Sequence, residues 1–363
     1  MKNRIIGRTK ERKRLQELYE SGKPEFVAMY GRRRVGKTFL IRQMFGNEFI
    51  FDFVGLANSN TEKQLLNFNI AINHSASEEF ELAKNWLSAF EQLRVLIEKS
   101  QKERKIIFID EIPWLDTPHS GFISALEHFW NGWACSRDDL MLIVCGSATS
   151  WIMNKLINNH GGLHNRLTTT IHLQPFTLSE TELFLKSQGI EYSRYQIAEC
   201  YMTMGGIPYY LSKLKRGLSL SQNVDNLFFK HDAELKNEFK NLYASLFKDA
   251  TDYVKIVEAL SKKTKGLTRN EILEATKLQS GGTFSEILKN LESCDFIRRY
   301  SLPTKRKRDV LYQLLDAYTL FYFKYIEKFD KQDEHFWTNT ANSPQHNAWA
   351  GYAFEILALL HTN

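Results

Sequence analysis

Phe26-Val27-Ala28-Met29-Tyr30-Gly31-Arg32-Arg33-Arg34-Val35-Gly36-Lys37-Thr38 is the stretch that decides the fold. Its first five residues form an apolar, strand-like run, and Phe39-Leu40-Ile41-Arg42-Gln43-Met44-Phe45 after it reads as a helix. Between them the pattern GxxxxGK[ST] is complete. Strand, glycine loop and helix in this order make a phosphate cradle. Gly31 and Gly36 let the backbone turn tightly, so that several N–H groups face phosphate oxygens beside the positive end of a helix dipole. Lys37 is expected to reach the β- and γ-phosphates and the Thr38 hydroxyl to ligate Mg²⁺. The candidate binding residues are therefore Gly31, Arg32, Arg33, Arg34, Val35, Gly36, Lys37, Thr38 and Phe39, and the expected ligand is a nucleoside triphosphate.

Working outward, Ile106-Ile107-Phe108-Ile109-Asp110-Glu111 is a continuous apolar run ending in two carboxylates. Such a run fits a central strand of a parallel sheet, buried on both faces. Ligands of these sheets gather at the carboxyl ends of the strands. Asp110 is placed to hold Mg²⁺ through water, and Glu111 to orient and polarise the water that attacks the γ-phosphate. A third run, Met141 to Gly146, ends in Ser147-Ala148-Thr149-Ser150. Ser147, with Thr149 second, is a candidate for touching the γ-phosphate. A helix N-cap before Trp151 is an equal reading. Arg166 precedes the β-rich run Thr168 to Leu173 and is a candidate for stabilising transition-state charge, in this chain or a neighbour's site. An ordinary solvated arginine is the other reading.

The 363 residues, 43% hydrophobic and 25% charged, suit a soluble protein of two or three domains. No apolar run reaches membrane-spanning length and the first residues are no signal peptide. Four scattered cysteines give neither a zinc pattern nor a disulfide framework, so a reduced, cytoplasmic protein is expected. A formal charge of +6 is too mild to identify a partner, so its distribution matters more. Between Arg298 and Arg308 six residues are basic and none is acidic. Before this cluster come a helix-like run (Tyr253 to Leu260), a capping-box pair (Thr268 and Glu271) and a helix with Phe284, Ile287, Leu288 and Leu291 inward. After it comes the strand-like run Val310 to Leu314. This order reads as a winged helix-turn-helix with Lys305, Arg306, Lys307 and Arg308 at the wing tip. Phosphate contact with duplex DNA and a protein-interaction module with a solvated hairpin both remain open, as does self-association.

Thr9 to Tyr19 is predicted helical, Phe49 to Val54 a strand, and about Thr61 to Ser100 a long helical stretch with Trp86, Phe90, Leu93 and Leu96 on one face. A further helix carries Phe122, Leu126, Phe129 and Trp130 inward; such stripes are core. The expected architecture is an α/β P-loop sheet domain (1–178), a helical lid (179–248), a winged helix (249–316) and a helical C-terminal segment (317–363).

The ordered motifs Ile6-Gly7-Arg8, Gly31 to Thr38, Ile109-Asp110-Glu111-Ile112-Pro113-Trp114-Leu115, Cys145-Gly146-Ser147 and Gly205-Gly206-Ile207-Pro208 resemble the archaeal-type P-loop ATPase family, related to AAA+ and STAND proteins. The resemblance implies a sheet with an extra strand between the loop strand and the acidic strand, and ATP with Mg²⁺ as cofactors. It implies catalytic roles for Lys37, Glu111, Ser147 and Arg166, metal contacts by Thr38 and Asp110, and Ile6-Gly7-Arg8 near adenine. It also implies a nucleotide-controlled ATPase, or alternatively a DNA-binding regulator that only senses ATP. Relatives continue past Gly351-Tyr352-Ala353-Phe354-Glu355 into a restriction-endonuclease-like domain. Here the sequence stops at Asn363, so either a truncated form or a fragment of a longer protein is expected, without nuclease activity for this chain and with Ile356 to Leu360 lacking anything to pack against.

Overall fold

The computed structural model describes residues 5–76, 78–158, 161–247, 249–301, 310–329, 333–341 and 343–361. The basic tip Lys305, Arg306, Lys307 and Arg308 lies outside these residues. The chain forms two compact units. The first is built from Met1–Gly31 and Gly36–Leu173, the second from Arg32–Val35 and Gln174–Asn363.

In the first unit the elements run α1 (Thr9–Tyr19), β1 (Glu25–Tyr30), α2 (Lys37–Phe45), β2 (Phe49–Val54), α3 (Thr61–Ser75) and α4 (Trp86–Lys99). They continue through β3 (Lys105–Asp110), α5 (Phe122–Gly132), β4 (Leu140–Gly146), the short α6 (Thr149–Ile152) and β5 (Thr169–His172). The five strands are parallel in the order β2-β3-β4-β1-β5. Strand β4 therefore separates the loop strand β1 from the acidic strand β3, the extra-strand arrangement expected. All six residues of β3 and all seven of β4 are buried, which is why their sequences run apolar without alternation.

The long stretch predicted from Thr61 is two helices, a correction with a local cause. Asn85 accepts from the Ser88 N–H at 3.0 Å while the Asn85 N–H donates to Ser88 Oγ at 3.2 Å, a capping box that starts α4 afresh. The aromatic stripes do form the core. Trp86 meets Phe122 edge-on at 5.0 Å and Phe68 at 6.0 Å, and Phe26 lies 4.8 Å from Trp130.

The second unit contains α7 (Leu178–Ser187), α8 (Arg194–Met204), α9 (Pro208–Leu211), α10 (Leu220–Val224), α11 (Glu238–Leu246) and α12 (Thr251–Ser261). Then come β6 (Leu267–Thr268), α13 (Arg269–Thr276), α14 (Gly282–Ser293), β7 (Ile297–Ser301) and β8 (Val310–Leu314). It closes with α15 (Ala317–Phe321), α16 (Phe336–Thr340) and α17 (Pro344–His361). Strands β6, β8 and β7 form a small antiparallel sheet in that order. The Thr268–Glu271 capping box is present, with Glu271 Oε2 accepting from the Thr268 N–H at 2.7 Å. The C-terminal run does find a partner, contrary to expectation. Ile356 and Leu357 are buried beside Tyr201 and Met202 of α8 and Leu320 of α15, because α17 turns one apolar edge inward. Among the described residues no helix is long and apolar enough to cross a membrane.

Candidate functional site

The parallel register decides which residues meet. Tyr30 pairs with Gly146 across β1 and β4, and Ile109 pairs with Val144 across β3 and β4. The residues that follow each strand, Gly31, Asp110 with Glu111, and Ser147, therefore emerge at one edge of the sheet. This is the carboxyl edge where open α/β sheets take ligands.

Gly36, at φ 93°, turns the chain into α2, and no side chain caps that helix. The dipole of this helix favours an anion at its start. Lys37 is buried, and its Nζ donates to the Gly31 carbonyl at 2.8 Å, folding the ammonium back over the loop. Thr38 donates its hydroxyl to Asp110 Oδ2 at 2.6 Å, while Asp110 Oδ1 accepts the Glu111 N–H at 2.9 Å. Glu111 sits in the left-handed region at φ 48°. Its Oε2 accepts both the Ser147 N–H, at 3.2 Å, and the Ser147 hydroxyl, at 3.0 Å. Thr38, Asp110, Glu111 and Ser147 are thereby joined in one polar cluster, with Lys37 next to Thr38 in the chain.

The remaining candidates fall as follows. The N-cap of α6 is Ala148, so the Ser147 hydroxyl serves Glu111 and not that helix. Thr149 is buried, with its N–H on the Ser147 carbonyl at 2.9 Å. Phe39 is 43% exposed. Arg166 is exposed on the turn before β5, its N–H on the Leu163 carbonyl at 3.1 Å, and is no part of the cluster. Arg8 is buried at the start of α1. Loop residues Arg32 and Arg34 carry ion pairs within the second unit, Arg32 to Asp316 and Arg34 to Glu238. Burial opposes the Arg32 charge, but Asp316 together with Tyr210 and Tyr243 raises the Arg32 pKa on balance.

Sequence reasoning missed Asp316 and Glu238. Only the N-cap signal of Asp316, which accepts the Thr319 N–H at 2.9 Å, was legible in advance.

The donor set fits Mg²⁺. A hydroxyl and a carboxylate already in contact supply the one or two protein oxygens this ion takes beside phosphate and water. Among the described residues no group of three His, Cys, Asp or Glu side chains forms an all-protein metal cage. In a neighbouring part of the sheet, burial raises the Asp52 pKa against the pull of Arg42.

Known proteins resemble this chain in sequence and in fold. Residues 5–214 match a sequence profile described as an ATPase domain predominantly from Archaea. An uncharacterized protein of Methanocaldococcus jannaschii is 27% identical over 98% of this chain and 76% of its own length. A Walker-type ATPase of Pyrococcus abyssi superposes with a TM-score of 0.63 at 18% identity, over 88% of this chain and 96% of its own. The ORC2 protein of Aeropyrum pernix, solved with ADPNP and ADP, has a TM-score of 0.50 at 12% identity, over 100% of this chain and 98% of its own.

Proposed function

Because the chain belongs to the family of ATPase domains found predominantly in Archaea, we propose that it binds ATP with Mg²⁺ and hydrolyses it slowly, as a nucleotide-controlled switch. One observation carries this reading: the Thr38 hydroxyl lies 2.6 Å from Asp110, with Glu111 next in the chain at the same sheet edge. Bound Mg²⁺ would neutralise charge on the phosphates, held by Thr38 and Asp110. Lys37 leaves the Gly31 carbonyl and turns its ammonium to the β- and γ-oxygens. The first N–H groups of α2 hold the phosphates in place. Glu111 orients the attacking water and takes up its proton, and Ser147 fixes the Glu111 carboxylate. Arg166 supplies positive charge as the γ-phosphoryl group leaves, from this chain or another. Adenine selection rests on the family.

The discriminating variant is Glu111→Gln. MgATP affinity should stay within about twofold, while phosphate release falls about a hundredfold or more. Unchanged release would remove Glu111 from the mechanism, whereas no release by the unaltered protein would leave ATP as a sensory ligand.

We read 179–248 as a lid, 249–316 as a winged helix and 317–363 as a helical C-terminal segment. The three helices α12, α13 and α14 with the antiparallel β6-β8-β7 sheet favour this reading. On this reading, duplex DNA is the proposed partner of Lys305, Arg306, Lys307 and Arg308. Replacing Lys305, Arg306, Lys307 and Arg308 by Ala should weaken duplex binding and flatten its salt dependence. If the unaltered protein binds no duplex at low salt, the DNA reading is retired.

A further inference from the structure

The loop arginines are the least expected feature of the second unit. A cation inside a phosphate loop is ordinarily a phosphate ligand, yet Arg32 and Arg34 are each engaged by a carboxylate more than two hundred residues away in sequence. We propose that Glu238 and Asp316 are positioning residues for the phosphate loop. They hold Arg34 and Arg32 so that the main chain between Gly31 and Gly36 is shaped before nucleotide arrives. This deepens the ATP-binding reading and rests on it.

Three observations carry the argument. First, the carboxylates are enclosed: the Arg32 and Asp316 side chains are 3% and 1% exposed, and Glu238 is 3% exposed beside an Arg34 that is 21% exposed. Second, each carboxylate is pinned by another donor. Asp316 Oδ2 accepts the Thr319 hydroxyl at 2.6 Å, and Glu238 Oε1 accepts the Tyr210 hydroxyl at 2.6 Å. Third, both guanidinium groups lie over rings, Arg34 at 4.2 Å from the Tyr209 centroid and Arg32 at 4.8 Å from that of Phe296. Arg34 meanwhile keeps φ at 73°, a left-handed conformation that a side-chain-bearing residue holds only where its surroundings over-determine it. A cradle of main-chain amides gains affinity when its shape is fixed in advance.

The test uses Glu238→Gln, Arg34→Met and the double variant Arg34→Met/Glu238→Met in the full chain. Each is titrated calorimetrically with MgADP and with a slowly hydrolysed MgATP analogue, and thermal unfolding is followed alongside. Each single variant should weaken both nucleotides by about tenfold and to the same extent. The double variant, which leaves no buried charge unpaired and so keeps a folded comparison available, should be no weaker than the poorer single. The proposal is overturned if Glu238→Gln binds as the unaltered protein does. It is overturned equally if Glu238→Gln binds more tightly while Arg34→Met selectively loses the triphosphate, since Arg34 would then be a phosphate ligand. Failure of the unaltered protein to bind MgADP would instead sink the nucleotide reading itself.

Discussion

Replacing Gly31 with alanine tests the steric reasoning behind the loop. Gly31 has φ 139°, and a Cβ built there would lie 2.3 Å from the Leu173 carbonyl oxygen and 3.2 Å from its carbon. The obstacle is main chain, held in place because the Leu173 N–H donates to the Tyr30 carbonyl at 2.7 Å. The end of the β1–β5 pair must therefore open by roughly 0.7 Å or more to reach even a tight contact. An unfavourable φ costs about 1–3 kcal/mol, and forcing a packed site apart costs about as much again. The sum is about 2–6 kcal/mol, a large share of an ordinary domain's stability. Gly36→Ala is the control: φ is 93°, but nothing lies within 4 Å of the added carbon, so only about 1–2 kcal/mol of backbone strain is expected. Urea unfolding, with amide exchange followed on β1 and β5, separates the two variants. Gly31→Ala should lose protection at Tyr30, His172 and Leu173 first. If it is as stable as the unaltered protein, or if Gly36→Ala costs more, the close approach of Leu173 does not govern this loop.

Trp86 is 1% exposed between Phe68 and Phe122, so Trp86→Ala should destabilise the first unit by about 3–5 kcal/mol in denaturant unfolding. Thr268→Ala removes the capping box of α13 and should cost about 1 kcal/mol, read as a lower unfolding midpoint with little change in slope. Asp139 is held at about 2, chiefly by the Arg137 guanidinium and then by Lys105, against the cost of burial. Its depressed pKa adds stability that is present above the ordinary carboxylate range and is lost as pH falls through about 2. Asp139→Asn should therefore cost about 1–2 kcal/mol at pH 7, a value reduced for partial exposure, and the difference should vanish near pH 2.

The sequence alone determined the parts whose physics is local. Gly31 to Thr38 bends, binds and starts a helix by its own glycines, ammonium and hydroxyl, so the loop was readable without any neighbour. The Thr268–Glu271 cap and the uninterrupted apolar runs of β3 and β4 were legible for the same reason. That β4 lies between β1 and β3 entered only through family resemblance, because nothing within a strand records which edge it pairs. The division of the Thr61 stretch depended on a cap at Asn85 that helical spacing outweighed. Tertiary structure alone decided that the Ser147 hydroxyl and N–H both go to Glu111, since register brings them together from separate strands. It alone paired Arg32 with Asp316 and Arg34 with Glu238: an ion pair needs proximity in space, and no spacing rule reaches across so much chain.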